Sequence, residues 1–275
     1  MSTAEKLTTG GPKGLVPCAH SAPMTTSNQG DTLIEFQPPM PTGLRVLAAF
    51  CGVGGCTRGY QRAGFHVTGV DIAPQPRYCG DEFHQGDAVQ FIREHGHEFD
   101  LIHAGPPCQH DCTLTAGTNQ ARRDQYPDLL DPTREALEAT GRPFVIEQPP
   151  GRASKRMRVD LTLCGEMFGL AVIRHRNFEL GGWTMPQPTH IKHRGRVAGM
   201  RHGQWFTGPY FAVYGEGGGK GTVAQWQQAM GIDWTDVRKE IAEAIPPSYA
   251  EAIPPSYAEA IGSSFAAQYA RQVAA

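Results

Sequence analysis

The chain has 275 residues, of which 40% are hydrophobic, with a mean hydropathy of −0.38. These values allow one α/β domain with a small insert and exclude a membrane-spanning protein, because no run approaches the roughly 18 apolar residues that a span needs. Residues 1–20 contain no apolar stretch typical of a secretion signal, and seven cysteines at irregular spacings do not resemble a disulfide framework. We therefore expect a soluble cytoplasmic protein.

The net charge of −2 hides a strong segregation of charge along the chain. Residues 151–202 contain ten Lys or Arg and three Asp or Glu, a charge of +7, whereas the remaining 15 basic and 24 acidic residues carry −9. Such segregation is typical of a protein that turns one face toward a polyanion. A solvated basic surface is the alternative interpretation.

Apolar strands alternate with helical segments through the middle of the chain. Residues 1–43 are rich in Gly, Pro, Ser and Thr and predict a loose tail. A helix is expected to open with Asp131 as N-cap and Pro132 at its first position. The alternation predicts an α/β fold with a mostly parallel sheet and helices on both faces. The predicted strands cover residues 44–50, 66–71, 99–105 and 143–148.

The pattern changes after residue 180. Residues 181–234 are dominated by Gly, Pro, His, Trp and Arg and show no convincing helix, so they predict a short insert beside a core of residues 44–180. Residues 235–275 should form C-terminal helices that complete the core. The octapeptide EAIPPSYA occurs in tandem at 243–250 and 251–258, and we expect the second copy to carry the structural role, because it leads into the last helix.

The expected strand ends carry the residues that could do chemistry. In open α/β sheets, ligands bind at the carboxyl ends of the strands. The first strand is followed by the glycine loop CGVGG and the second ends in Asp71. Glycines let a backbone approach a ligand closely, and an acid accepts hydrogen bonds from ribose hydroxyls, so a nucleoside-bearing cofactor is indicated. The dinucleotide fingerprint does not fit, because Thr57 stands where its third glycine belongs.

Cys108 and Glu147 follow two further strands. A cysteine attacks as the thiolate. Carbon 5 of cytosine is too unreactive to take a methyl group directly, but a thiolate added at carbon 6, with a carboxyl group at N3, makes carbon 5 nucleophilic. Cys108 and Glu147 on neighbouring strand ends can meet that requirement.

The motifs FCGVGG, GPPCQ, VIEQPPG and RHRNFE, with Asp71 and Asp87 between them, resemble the ordered motifs of the C5-cytosine DNA methyltransferases over residues 44–180. The segment AIPPSYAEAIG is similar to the closing motif of a small phage-type branch of that family. The resemblance implies the fold of S-adenosylmethionine-dependent methyltransferases and S-adenosylmethionine as cofactor. It also implies double-stranded DNA as partner, base flipping and a role in restriction-modification or its evasion. Nothing in the sequence demands a protein partner, and a monomer is expected.

The resemblance also implies a role for each motif residue. Cys108 would be the nucleophile, Glu147 would bind and protonate N3, and Arg174 and Arg176 would hold the flipped base and the catalytic loop. The expected cofactor-binding residues are Phe50, Gly52, Gly54, Gly55, Asp71, Ile72, Asp87 and Pro106. The residues expected to contact DNA are Arg152, Lys155, Arg156, Arg158, Lys192, Arg194, Arg196 and Arg201.

Several departures from the family pattern keep alternatives open. Gln148 stands where the family has asparagine, and the short insert predicts few base contacts in the major groove. The same chemistry on RNA or a free cytosine nucleotide, with S-adenosylmethionine or a modified cofactor, is one alternative. Thymidylate-synthase-type chemistry and a DNA-binding relative that has lost catalysis are the others.

No metal site is expected from the sequence. Cys108 and Cys112 with His103 and His110 lack the second ligand pair that structural zinc sites show. His190 and His193 are interpreted as part of a solvated basic loop. The glycine-rich segment 215–221 lacks the spacing of a phosphate loop and is interpreted as a mobile loop on the DNA backbone.

Overall fold

A computed structural model describes residues 42–110, 126–202, 204–214 and 220–253. The expected N-terminal tail up to residue 41, Cys112, residues 215–219 of the glycine-rich segment and the helix expected at the C-terminus from residue 254 lie outside the described residues. Within the described part of the chain, no helix combines the length and the apolar character needed to cross a membrane.

The core is a seven-stranded sheet with the order β3-β2-β1-β4-β5-β7-β6. The first five strands along the chain pair in parallel, and β7 runs antiparallel to both β5 and β6. The fold class predicted from the sequence is confirmed. The strands are β1 (Arg45–Ala49), β2 (His66–Asp71), β3 (Glu82–Gln85), β4 (Leu101–Ala104), β5 (Phe144–Gln148), β6 (Leu161–Leu163) and β7 (Arg176–Gly181).

Helices cover both faces of this sheet. Val46 and Ala48 of β1 pack on one face with Tyr60, while Leu47 and Ala49 pack on the other face with Ile92. The near-continuous apolar run of β1 follows from this double burial, as in other parallel sheets. The described α-helices are α1 (Gly55–Arg62), α2 (Ala88–His95), α3 (Leu130–Ala139), α4 (Val223–Met230), α5 (Arg238–Glu243) and α6 (Pro247–Glu251), and short 3₁₀ helices cover Gly96–Glu98, Ala153–Lys155 and Gly165–Phe168.

Helix α3 begins earlier than the sequence predicts. Its N-cap is Leu129, so Asp131 lies inside the first turn instead of capping it. The Asp131 carboxylate instead forms ion pairs with Arg134 and Arg156. The expected N-cap role of Asp131 is therefore wrong, and the acid links α3 to the segment that follows β5.

The insert contains more regular structure than expected. Strands β8 (Gly199–Arg201) and β9 (Gln204–Phe206) form a hairpin, and α4 begins with a capping box between Thr222 and Gln225. Trp226 of α4 packs in one apolar cluster with Val172 of the core and Ile241 of α5. Helix α4 therefore packs against residues that precede the insert in the chain and against residues that follow it.

The first copy of the tandem octapeptide occupies the core. Ile245, Tyr249 and Ala250 are buried, and α6 packs against α1. Gly59 of α1 permits this contact, because a Cβ there would lie 2.2 Å from the Pro247 carbonyl oxygen. The expectation that the second copy carries the structural role stays a prediction, because residues 254–258 of that copy lie outside the described residues.

Candidate active site

The carboxyl ends of four central strands present a row of side chains at one level of the sheet. One residue near the end of each of β2, β1, β4 and β5 pairs in register with its neighbour, namely Val70, Ala49, Ala104 and Ile146. The residues at the next level are Asp71, Phe50, Gly105 and Glu147. The strand order reverses between β1 and β4, which is where ligands bind in open α/β sheets. The predicted catalytic acid and the predicted cofactor acid thus flank this point on opposite sides.

Glu147 is a largely buried carboxyl group facing a cation. Its Oε1 atom lies 2.7 Å from Arg176 Nε, and only 12% of its side chain is exposed. Its Oε2 atom lies close above Gly105, where a Cβ would be 3.5 Å away. Burial raises the pKa of Glu147, and the charges of Arg176 and Arg174 oppose that shift. A carboxyl group with a raised pKa binds a proton at a higher pH than an ordinary glutamate does.

Gln148 fixes the turn that leads to Cys108. The Gln148 side chain is buried, and its Nε2 atom donates a hydrogen bond of 2.6 Å to the Pro106 carbonyl oxygen. Pro106 is itself buried, and Cys108 two residues later is half-buried. Gln148 therefore joins the end of β5 to the turn after β4. The departure from asparagine at this position keeps a side-chain brace between the two strand ends.

Arg174 is buried, and its guanidinium is held by backbone carbonyl groups of Val213 and Ala242. Burial, with a smaller contribution from the Arg176 charge, lowers the pKa of Arg174 to about 9. The negative charges of Glu147 and of the Cys108 thiolate raise that pKa, so both groups lie near enough to Arg174 to interact with its charge. Arg174 thus connects β7 to the insert and to α5, while Arg176 contacts the acid directly.

Asp71 organises the glycine loop after β1. Its Oδ2 atom accepts a hydrogen bond of 3.0 Å from the Gly52 N–H, and its Oδ1 atom accepts one of 3.0 Å from the Ala73 N–H. A carboxylate has about four acceptor sites, so Asp71 keeps capacity for hydroxyl groups of a ligand. Gly52 has a φ of 50° and open space beside its Cα, which leaves its backbone accessible.

The other glycines of the loop serve internal packing. A Cβ at Gly54, whose φ is 97°, would lie 2.7 Å from Cys79 Sγ. A Cβ at Gly55 would lie 2.3 Å from the Ile245 carbonyl oxygen. Both positions were predicted to bind the cofactor, and the structure shows that each permits a close contact within the protein.

Three further residues predicted to bind the cofactor lie along the same edge. Phe50 has a positive φ of 57°, which is rare for a bulky residue and concentrates at functional sites. Ile72 projects an apolar side chain that is 71% exposed, directly after Asp71. Asp87 is the N-cap of α2 and accepts a 2.8 Å hydrogen bond from the Gln90 N–H, which uses one of its carboxylate oxygens.

Seven of the eight residues predicted to contact DNA fall into two groups. Arg156, Arg158 and Arg194 form ion pairs with acidic residues of the chain. Arg201 lies in β8. The other group consists of four residues with exposed side chains, namely Arg152, Lys155, Lys192 and Arg196. Part of the sequence charge excess is therefore neutralised locally, and the second group is better placed to meet a polyanion.

Sequence reasoning missed several residues around this site. Tyr249 donates a hydrogen bond to the Arg174 carbonyl oxygen, and Trp234 donates one of 2.9 Å to the Val53 carbonyl oxygen in the glycine loop. The pattern Thr222-x-x-Gln225 was the available signal for α4. His103, once considered as a zinc ligand, is buried with Nδ1 3.1 Å from the Tyr60 hydroxyl oxygen.

No protein-family model and no characterised relative matches the chain. Among solved structures, the chain is similar to the S. pombe Dnmt2 methyltransferase, with 13% identity, a TM-score of 0.49, and coverage of 76% of this chain and 97% of that one. A SAM-dependent methyltransferase from Agrobacterium tumefaciens shows 20% identity and a TM-score of 0.23 over 38% of both chains. One from Archaeoglobus fulgidus shows 19% identity and a TM-score of 0.26 over 38% of this chain and 45% of that one. At these low identities and TM-scores, the function has to be argued from the side chains themselves.

Proposed function

We propose that this protein transfers a methyl group from S-adenosylmethionine to carbon 5 of cytosine in DNA. One observation carries the proposal. Gln148 joins the end of β5 to the turn before Cys108, so the acid at the end of β5 and the thiol after β4 are held at one sheet edge. Cys108 and Glu147 both act on Arg174, in agreement with that placement.

The two groups have complementary roles in activating the ring. The Cys108 thiolate adds to carbon 6, while the Glu147 carboxyl group donates its proton to N3, and the electron pair of the ring moves to carbon 5. After methylation at carbon 5, the ring loses the carbon 5 proton and the Cys108 thiolate departs. N3 then returns its proton to Glu147, which restores the neutral aromatic ring and the acid. Arg176 Nε lies 2.7 Å from Glu147 Oε1 and so orients the carboxyl group.

The other half of the edge fits a nucleoside-bearing cofactor. Asp71 has acceptor sites for ribose hydroxyls, Gly52 leaves its backbone accessible, and the exposed Ile72 offers an apolar surface for a base. When bound there, S-adenosylmethionine would supply an electrophilic methyl group on a sulfonium. Phe50 lies between Asp71 and Gly105 in the row, and so between the cofactor half and the cytosine half.

DNA would reach the site through the exposed basic residues of 152–155 and 192–196. A cytosine within a duplex cannot reach Cys108, so the base must be flipped out, at a cost of a few kcal/mol for unstacking. Binding that depends on phosphate contacts weakens as salt rises. The short insert offers few contacts in the major groove, so we expect a short or relaxed target sequence.

The test measures 5-methylcytosine by mass spectrometry after purified protein, S-adenosylmethionine and mixed-sequence duplex DNA have been incubated together. The wild type should form the product, and Cys108→Ser should form none. Cys18→Ser, in the N-terminal segment, is the matched cysteine control and should behave as the wild type. Circular dichroism melting curves would show whether Cys108→Ser remains folded.

A second arm tests the covalent step. In DNA that contains 5-fluorocytosine, the carbon 5 fluorine cannot leave as a proton does, so the Cys108 adduct should persist through denaturation. An adduct with the wild type and none with Cys108→Ser supports the mechanism. If 5-methylcytosine forms on RNA or on cytosine nucleotides and none forms on DNA, the substrate is RNA or the nucleotide and not DNA. Binding of DNA without any product would favour a relative that has lost catalysis.

A further inference from the structure

Four side chains with metal-ligating atoms meet at the outer edge of the core, on the β6–β7 side. Cys164 follows β6 and is buried, and His175 directly precedes β7. His190 and His193 come from the insert, three residues apart in the chain. The four residues come from three separate segments of the sequence, so their meeting is a product of the fold.

The ligand atoms are as close as a shared ion requires. Cys164 Sγ lies 3.5 Å from His193 Nε2, and His175 Nε2 lies 3.0 Å from His190 Nε2. The candidate ligand atoms of all four residues lie within 4.8 Å of one another. The centroids of the three imidazole rings are 5.1 to 5.2 Å apart.

These separations match a tetrahedral zinc site. With zinc–nitrogen bonds of about 2.05 Å and zinc–sulfur bonds of about 2.3 Å, adjacent nitrogens lie about 3.3 Å apart and a sulfur–nitrogen pair about 3.6 Å apart. The two closest pairs are already near those values. A pair at the full 4.8 Å needs to close by about 1.2 to 1.5 Å, which side-chain rotation can supply.

We propose that Cys164, His175, His190 and His193 bind one zinc ion. One thiolate and three imidazoles form a borderline-soft donor set, which suits zinc and is unsuited to magnesium or calcium. Four protein ligands close the coordination sphere, so the ion has a structural role. Interpreting His190 and His193 as members of a solvated basic loop does not account for this cluster.

The ion would attach the insert to the catalytic core. Residues 182–198 contain no helix or strand among the described residues, and one backbone hydrogen bond of 2.9 Å, from the Ala198 N–H to the Tyr210 carbonyl oxygen, lies at the end of this stretch. Side-chain contacts hold much of the rest. His175 stands between Arg174 and Arg176, and Arg176 contacts Glu147 at 2.7 Å. Zinc at His175 would therefore also fix the start of β7, one residue away from the cation that orients the acid.

The first measurement is the metal content of the full-length wild-type protein after removal of metal and reconstitution with zinc chloride alone. We expect about one equivalent of bound zinc, the stoichiometry of a four-ligand site. Cys164→Ser and His190→Ala should bind zinc more than about 100-fold more weakly, because losing a ligand exceeds the 10–100-fold loss caused by outer-shell changes. His66→Ala, an exposed histidine at the start of β2, is the matched control and should bind as the wild type does.

Cobalt substitution tests the site without any mutation, in case a variant fails to fold. Cobalt in the wild type should give the strong visible bands of tetrahedral geometry and a near-ultraviolet band from a thiolate ligand. Wild-type protein that binds neither metal stoichiometrically would overturn the proposal, as would equal zinc affinity in folded Cys164→Ser. An octahedral cobalt spectrum without thiolate would overturn it too. The outcome is independent of whether the protein methylates DNA, because metal content and spectra need no substrate.

Discussion

The sheet edge and the insert place their important side chains in different ways. At the sheet edge, parallel strands in register fix the level of Asp71, Phe50 and Glu147, and backbone hydrogen bonds set their spacing. In the insert, the only regular elements among the described residues are the β8–β9 hairpin and α4. Contacts such as Arg194 with Glu166, at 2.6 Å, hold the rest to the core.

We expect this difference to separate the two halves of the proposed function. Bond making needs atoms held within a few tenths of an ångström, and a sheet edge supplies that order. Recognition of a polyanion tolerates adjustment, and an insert fixed by a few side chains supplies it. Changes at the sheet edge should therefore alter the chemistry, and changes in the insert should alter binding.

The largest effect is expected for Glu147→Gln. The amide keeps the size of the side chain but cannot give a proton to N3, so kcat should fall by about 10² to 10⁴-fold. Methyl transfer from labelled S-adenosylmethionine at saturating DNA measures this. DNA affinity should change little, because Glu147 is not among the basic residues expected to hold phosphates. A variant that lost affinity and kept kcat would assign Glu147 to binding instead.

A second prediction concerns His103, the buried histidine of the core. Burial lowers the pKa of His103 to about 4, from an ordinary value of about 6.5. Between these two values the unfolded chain binds a proton at this position and the folded chain does not. Stability from His103 is therefore present above pH 6.5 and is lost as the pH falls toward 4, by up to about 3 kcal/mol.

Urea unfolding at several pH values checks this prediction. His103→Asn keeps a polar atom near the Tyr60 hydroxyl but has no proton to gain. The stability difference between wild type and His103→Asn should therefore shrink as the pH falls. A difference that stays constant from pH 7 to pH 4 would mean that the pKa of His103 is the same in the folded and the unfolded protein.

A third prediction compares a glycine of the core with one of the insert. Gly59→Ala places a Cβ 2.2 Å from the Pro247 carbonyl oxygen and 2.8 Å from Ala250 Cβ, so α6 must move away from α1. We expect a loss of about 1–3 kcal/mol in the free energy of unfolding, despite the better helix propensity of alanine. Gly199→Ala in β8 meets nothing closer than 4.0 Å and should change stability by less than about 0.5 kcal/mol. Equal effects in thermal melts would show that α6 is not tightly packed.

The same contrast explains how far the sequence could predict the molecule. The row of Asp71, Gly105 and Glu147 was predictable, because every parallel strand delivers its next residue to the same edge. The helix at Val223–Met230 was missed because its capping box is short and stands among glycines and prolines. The cluster around Cys164 was beyond prediction, since its ligands are brought together only by the packing of segments that are separate in the chain.

The smallest predicted effect separates two arginines of the insert. Arg194 pairs with the buried Glu166, whereas Arg196 is exposed and lies over the ring of Phe206, 5.3 Å from its centroid. If Arg196 meets one phosphate, Arg196→Ala should weaken binding to all DNA sequences similarly and lower the salt slope of log K by about 1. Fluorescence anisotropy at several salt concentrations measures that slope.

Arg194→Ala is the matched comparison for Arg196→Ala. It removes the same charge two residues away but leaves the buried Glu166 carboxylate without this cation, so it should lower stability. Its salt slope should change less than that of Arg196→Ala, because the Arg194 charge is already engaged within the protein. Equal slopes for the two variants would mean that the insert meets DNA as a diffuse positive surface. A lower slope for Arg196→Ala alone would show that the ion pairs within the chain decide which of its arginines bind phosphate.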